Sequence, residues 1–428
     1  MGQHQLRCLQ QPHKLDHAHR AKTERLTLWR FCNRREESRY RWHIFHFEKL
    51  AFCLGEIAWA TDNITQMKVS GTRNKIVVSG YYGFDNLGDE AILEVLTSEL
   101  KEFSDPQNIV VLSQDPETTK NRYGVDAINR WRLTEIAAQL RQARLFVSGG
   151  GGLFQDTESV KSVIYYGGLI SLATACGAAT FIYAQGLGPL KTALGKLITR
   201  LALAQPALIA VRDSKSLALL QEWRLPAHET GDPVWLMEPS TLPPSITEKL
   251  KAQQGKILAL SLRKLEKFGE GQIRLLAKSL SKTFGGDYTL LALPLQKNQD
   301  LEPLAVFTDE WLKLGGKDLP LDFTLIEKPS QWLALIAQAD FLVGMRLHSL
   351  IMALSQNVPV AGLAYDPKVT HVLEEFEALS LPLQTEKESD YAIDLQNYIN
   401  QSKSANHLLR MRQAACQNKA LLAKILSD

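Results

Sequence analysis

Phe341-Leu342-Val343-Gly344-Met345-Arg346-Leu347-His348-Ser349 is the stretch on which the reading of this chain turns. The segment from Ala339 to Val343 is apolar apart from Asp340 and predicts a short buried strand that stops at Gly344. Leu350 to Leu354 then starts an apolar helix pattern. A strand, a glycine turn, a polar pair and a helix start deliver side chains into a crevice at the strand's carboxyl end. The helix N-terminus beside them favours an anion. A guanidinium and an imidazole at that spot point to an anionic substrate and to proton transfer. The same two residues would also suit a bland role, with Arg346 holding a carboxylate and His348 sitting idle in the first helical turn.

Working outward, the same pattern recurs along the chain. Lys75 to Gly80 is an apolar run ending in glycine, followed by Tyr81-Tyr82-Gly83-Phe84-Asp85-Asn86-Leu87-Gly88-Asp89-Glu90 and a helix from Ala91. Gly83 and Gly88 imply a tight backbone and a close approach to a ligand. Asn86 and Asp89 suit either sugar hydroxyls or the cap of that helix. Leu145 to Ser148 predicts a strand running into Gly149-Gly150-Gly151-Gly152. Four glycines after a strand expose backbone N–H groups that no Cβ obstructs, a surface suited to a phosphate or a sugar. Thr180 to Ala184 runs into Gln185-Gly186-Leu187-Gly188-Pro189, and Ala207 to Val211 into Arg212-Asp213. Lys191 to Leu203 is amphipathic with Lys191, Lys196 and Arg200 as its cations, so it reads first as a solvated helix face and otherwise as a contact with an anionic membrane surface or a lipid diphosphate.

Residues 239–255 hold three prolines and no apolar strand, which predicts a linker. The pattern restarts at Lys256 to Leu262, ending at Arg263. Strands are expected at Tyr288 to Leu293 and Phe323 to Ile326, with helices at 271–283, 303–314 and 330–337. Val358 to Val360 leads to Tyr365-Asp366-Pro367-Lys368, and the chain ends in helices from Ala392 to Gln401 and Asn406 to Leu426. The expectation is an α/β protein of two Rossmann-like domains facing across a cleft, at 74–238 and 256–400, with a C-terminal helix at 401–428.

A chain of 428 residues is long enough for two such cores. No apolar run approaches the roughly 18 residues of a membrane span, and the first residues lack the apolar core of a secretory signal. Five cysteines without metal-type spacing read as reduced thiols in the cytoplasm. Residues 1–70 carry twelve Lys and Arg against seven Asp and Glu, with six of the ten histidines. They lack a sustained helix or strand period and read as a poorly ordered basic extension rather than a basic nucleic-acid or membrane arm. Met67 would be a natural start.

Taken together, Ser79 to Gly83 with Asn86 to Glu90, Ser148 to Asp156, Gln185 to Pro189, Val211 to Asp213 and Gly344 to Ser349 resemble the polysaccharide pyruvyl transferase family, in particular its CsaB branch. The resemblance covers about residues 74–370 and implies the two-domain fold of the GT-B glycosyltransferases. The activity it implies is transfer of an enolpyruvyl unit from phosphoenolpyruvate to a sugar of a cell-envelope polysaccharide or its lipid-linked precursor. A pyruvyl ketal results, made in the cytoplasm, near the inner face of the membrane. By that resemblance Arg346, Leu347 (through its backbone) and His348 contact phosphoenolpyruvate. Arg212 and Lys368 stand at other strand ends and would add charge for a trianionic donor. His348 is the best general acid, and Asp89 a base for the sugar hydroxyl. The first half, through Gly83, Asn86, Asp89, Gly150, Gly151 and Gln185, would hold the acceptor. Arg263 is a further strand-end cation without a role. Neither a metal nor a cofactor is expected, and phosphoenolpyruvate is a co-substrate. The competing expectations are a GT-B glycosyltransferase using a nucleotide sugar and a non-catalytic saccharide-binding protein.

Overall fold

The apolar runs become two sheets in which every paired strand is parallel. The computed structural model describes residues 73–157, 159–393 and 405–427, which fall within one compact unit, Asn63–Asp428. The predicted basic extension lies outside the described residues, as does most of the helix expected from Ala392.

The first sheet has eight strands: β1 (Lys75–Ser79), β2 (Ile109–Ser113), β3 (Asp126–Asn129), β4 (Ala143–Ser148), β5 (Gly151–Phe154), β6 (Ala179–Leu187), β7 (Leu208–Val211) and β8 (His228–Glu229). Their order is β3-β2-β1-β4-β6-β7-β8, with β5 beside the far end of β6. The helices between them are α1 (Leu87–Lys101), α2 (Pro116–Tyr123), α3 (Leu133–Arg141), α4 (Lys161–Ala175), α5 (Ala193–Leu203) and α6 (Ser214–Glu222). Next comes α7 (Pro244–Ala252). The second sheet runs β11-β10-β9-β12-β13-β14. Its strands are β9 (Lys256–Ser261), β10 (Tyr288–Ala292), β11 (Lys317–Asp318), β12 (Phe341–Gly344), β13 (Val360–Leu363) and β14 (Leu379–Leu381). Here the helices are α8 (Glu270–Phe284), α9 (Lys297–Lys313), α10 (Pro329–Ile336), α11 (Leu347–Ser355) and α12 (Pro367–Glu375), and α13 (Ala405–Ser427) closes the chain.

Central strands with helices on both faces are buried on both sides, which is why they read as unbroken apolar runs. All five residues of β2 and all four of β12 are buried. Strand order reverses between β1 and β4 in the first sheet and between β9 and β12 in the second. Loops leaving the carboxyl ends of strands at such a switch point form a crevice. The opening stretch, β12 into α11, therefore sits where the fold itself makes an opening.

The two halves are tied together by direct bonds. Leu87 N donates to Leu295 O at 3.1 Å. Glu94 accepts from Ser330 N at 2.9 Å and Ser330 Oγ at 2.7 Å, joining α1 to the start of α10. Trp235 stacks on Phe376 with ring centroids 5.1 Å apart. The terminal helix α13 returns to the first half, where Asn418 Nδ2 donates to Gly231 O at 2.8 Å and Lys419 meets Glu102 at 2.8 Å.

Four local expectations differ from the structure. Phe323 to Ile326 is not a strand: Phe323–Leu325 forms a 3-10 turn, and Phe323 stacks on Trp332 at 5.1 Å. Phe323 is half-buried there and Ile326 buried, while Leu325 stays exposed, and the edge strand is the exposed pair Lys317–Asp318. The stretch read as a linker contains α7, which starts with proline at its first position, where the missing N–H costs nothing. The helix expected from 303 begins at Lys297, with Pro303 inside it. Proline there leaves the Gln299 carbonyl without its helical donor, and Lys264 N fills the vacancy at 2.8 Å. Finally, the four glycines are only half a turn. Gly151 starts β5, with a φ of +108° that favours glycine, and pairs with Gln185.

Candidate active site

At the head of α1, Asn86 accepts from Gly88 N at 3.2 Å, so its side chain is a helix cap. Glu90 is buried and holds the loop before it, accepting from Gly83 N at 2.7 Å and Tyr123 Oη at 2.6 Å, with Arg122 at 3.3 Å. Gly83 is pressed on the end of β2, where a Cβ would lie 2.3 Å from Ser113 Oγ. Arg130, read over in the sequence, pins the same loop by donating to Gly80 O at 2.9 Å. It lies among the rings of Phe84, Trp131, Tyr165 and Tyr166.

Asp89 points elsewhere, towards the glycines after β4. A Cβ on Gly151 would lie 2.7 Å from Asp89 Oδ1. Burial pushes the Asp89 carboxyl up to about 6, against the opposing pull of His348 and Arg212. Gln185 is fully buried beneath, its amide donating to Gly151 O at 2.7 Å and Gly186 O at 3.1 Å. Gly150 is likewise buried, against Ala184 and Ile92. Of the residues expected to hold an acceptor, Gly83, Asn86, Gly150 and Gln185 thus shape the backbone, while Asp89 and Gly151 meet at the site.

Arg212 follows β7, and its Nη1 meets Asp232 Oδ2 at 2.5 Å, with both side chains buried. His348 Nε2 lies 3.4 Å from the same carboxylate oxygen, at ion-pair range. Its ring covers Gly88, where an added Cβ would come within 2.0 Å of His348 Nδ1. Burial works to raise Asp232, but Arg212 and His348 outweigh it and hold the carboxyl well below the usual carboxylate range. Arg212, Asp232 and His348 therefore form a charged chain that crosses from the first half to the second. Lys368, in the first turn of α12, crosses back: its Nζ donates to Gly188 O at 3.3 Å and would sit 3.1 Å from a Cβ on Gly152. Burial lowers the pKa of that ammonium, and Arg212 lowers it further.

Arg346 is held apart from this chain by Asp300. Its Nε and Nη2 form a fork with the carboxylate at 2.8 and 2.5 Å, and Nη2 also meets Gln299 at 3.3 Å. Asp300 is fully buried, and burial pushes its carboxyl up while the Arg346 fork pulls it back. Arg263 shares Gln299 at 3.0 Å and bonds Tyr365 Oη at 3.1 Å. Gln299, whose carbonyl Pro303 frees for Lys264, is therefore the hinge of a two-arginine layer. Leu347 and His348 open α11, where first-turn N–H groups have no helical acceptor.

Asp232, Asp300 and Gln299 were invisible as site residues in the sequence. Asp232 lies in Gly231-Asp232-Pro233, a turn signal that masks its position just past β8. Nothing in the sequence marks β8, whose two residues are both exposed. Asp300 gave no signal either, because its helix was placed too late.

A family model, polysaccharide pyruvyl transferase, matches residues 86–367. The chain belongs to the polysaccharide pyruvyl transferase family. The matched span takes in Asp89, Gly151, Arg212, Asp232, Arg346 and His348, with Lys368 one residue beyond. No curated protein matches it. Among solved structures it is similar to a UDP-GlcNAc 2-epimerase from Methanocaldococcus jannaschii (TM-score 0.57, 10% identity, 82% of this chain and 99% of that one). It is also similar to HepE of Anabaena in complex with UDP and glucose (0.54, 11%, 83% and 99%). A third likeness is a putative UDP-N-acetylglucosamine 2-epimerase from Listeria monocytogenes (0.56, 12%, 83% and 96%). At such identities these likenesses speak for the fold, and this chain has the two-domain GT-B arrangement expected from its sequence.

Proposed function

We propose that this family member, of the CsaB branch, transfers pyruvate from phosphoenolpyruvate to two hydroxyls of one sugar in a cell-envelope polysaccharide or its lipid-linked precursor, on the cytoplasmic side. The observation that carries the proposal is the charged chain from Arg212 through Asp232 to His348, with Asp89 and Lys368 beside it. It offers cations, an imidazole and a carboxyl titrating near neutrality at one place between the halves. Phosphoenolpyruvate carries up to three negative charges, and strand-end cations with a helix N-terminus are the chemistry that receives it. Arg212 and Lys368 face its phosphate and carboxylate. The free N–H groups of Leu347 and His348 add dipoles, and Arg346, fixed by Asp300, keeps Nη1 for the substrate.

The imidazolium of His348 gives a proton to the methylene carbon, and positive charge develops at the central carbon. Asp89 removes the proton of a sugar hydroxyl as its oxygen bonds to that carbon. Phosphate leaves with the electron pair of its C–O bond, and a second hydroxyl attacks to close the ketal. Of the two hydroxyl protons, one makes good the proton spent on the methyl group and the other leaves with phosphate. Each transfer thus consumes one phosphoenolpyruvate and releases one phosphate. The test is phosphate release by the purified chain, which should require both phosphoenolpyruvate and a saccharide acceptor. Turnover of a nucleotide sugar with none of phosphoenolpyruvate would overturn the proposal.

Gly88 provides a prediction at this point. Its backbone is ordinary helix, so alanine is welcome to α1 by propensity, by up to about 1 kcal/mol. The new methyl would, however, occupy the place of the His348 ring. Gly88→Ala is expected to lower turnover by about a hundredfold with no loss of thermal stability. Steady-state kinetics and a melting curve on the same sample check it, and an unchanged turnover would show that His348 need not sit over α1.

A further inference from the structure

Helix α5 has an outer face that its packing does not explain. Leu194, Leu197 and Leu201 are 52%, 54% and 60% exposed. They account for three of the eight most exposed large apolar side chains among the described residues. Spacings of three and four put them on one stripe of the helix. The opposite side is buried, through Gly195, Thr199, Ala202 and Leu203, with Ala202 and Ile198 against Gly167 of α4. Lys191, Lys196 and Arg200 are exposed along the flank of the stripe. Neither α5 nor its packing partner α4 contains an Asp or Glu. No helix among the described residues is long and apolar enough to cross a membrane.

We infer that α5 docks this enzyme on an anionic phospholipid surface, its leucines in the acyl boundary and its cations among the headgroups. Apolar side chains on a helix that carries cations and no carboxylates match the chemistry of such a surface. A protein partner would have to supply acids alone along the same flank. The helix is also rigidly joined to the site. Asp156, just after β5, accepts from Lys191 N at 2.5 Å, Thr192 N at 2.8 Å and Thr192 Oγ1 at 2.5 Å. Asp156 N donates to Pro189 O, and Gly188, whose carbonyl receives Lys368, donates to Phe154 O at 2.8 Å. A membrane under α5 is therefore joined through Asp156 and β5 to the backbone at Gly151 and Gly188. This deepens the proposed function, because it selects a lipid-linked acceptor over a finished polymer, and it rests on that proposal for the acceptor alone.

The test is flotation of the full chain with vesicles of phosphatidylcholine and phosphatidylglycerol, against phosphatidylcholine alone, at low and high salt. The chain should float with the anionic vesicles only, and less so at high salt. The double variant Leu197→Glu/Leu201→Glu should lose about tenfold or more of that partition. Its phosphate release with a water-soluble acceptor should stay unchanged, since the leucines touch nothing in the site. Equal partition of variant and parent would overturn the inference. So would an oligomer dispersed by the variant with no vesicle binding by the parent, which would make the face a contact between copies. Vesicle binding is read without any acceptor or phosphoenolpyruvate, so its failure is distinguishable from failure of the proposed reaction.

Discussion

His348→Ala is expected to lower turnover by about a thousandfold, the usual loss when a general acid is removed, while the protein keeps its fold. Both halves of that expectation follow from the surroundings of the ring. His348 stands at the start of α11 with its side chain 16% exposed, at ion-pair range of Asp232 and within electrostatic reach of Asp89. Removing the imidazole leaves Asp232 paired to Arg212 at 2.5 Å, and Asp89 keeps the pull of Arg212, so no buried charge is stranded. Alanine also suits a first-turn helical position. The affinity for phosphoenolpyruvate should fall less than turnover, because the cations stay. Kinetics and a melting curve on one preparation decide this. Unchanged turnover would move the acid elsewhere, and unfolding would make His348 a structural residue.

Asp89→Asn should abolish transfer to a similar degree and yet stabilise the protein. Burial pushes the Asp89 carboxyl from 3.8 up to about 6. A raised carboxyl contributes stability that is fully present below the unfolded value and lost as pH rises through the folded one. At pH 8 the ionised, buried Asp89 therefore costs the fold about 3 kcal/mol, from a shift of roughly two units. Asparagine removes that cost, so urea unfolding should show a gain at pH 8, a smaller one at pH 5 and none below about pH 4. The parent's activity should rise with pH through about 6, as the base ionises, and this limb should vanish in the variant. A stability gain that does not change with pH would show that the carboxyl is not strained in the way the geometry implies.

The sheets were legible because strands buried on both faces need unbroken apolar runs, and β1, β4, β9 and β12 carry them. Edge strands were not: β8 and β11 are two exposed residues each, with no hydrophobic demand to mark them. The candidate site was marked in the sequence where glycine or a charge stands directly at a strand's end, as at Gly151, Arg212 and Arg346. The partners of those charges were hidden. Asp232 and Asp300 act by fixing Arg212 and Arg346 in place, and their positions depend on packing between elements far apart in the chain. Asn86 and Gln185 show the converse. Their residue types fit a sugar, yet the first caps a helix and the second is buried under Gly151.

The central claim is that phosphoenolpyruvate meets a sugar between Arg212, Asp89 and His348. Its most direct test is the mass of a lipid-linked disaccharide after incubation with the enzyme and phosphoenolpyruvate in deuterium oxide. The expected product is heavier by pyruvate less water, with one deuteron in the new methyl group from the proton that His348 delivers. An acceptor unchanged by phosphoenolpyruvate, but extended by a sugar with release of a nucleoside diphosphate when a nucleotide sugar is supplied, would contradict it.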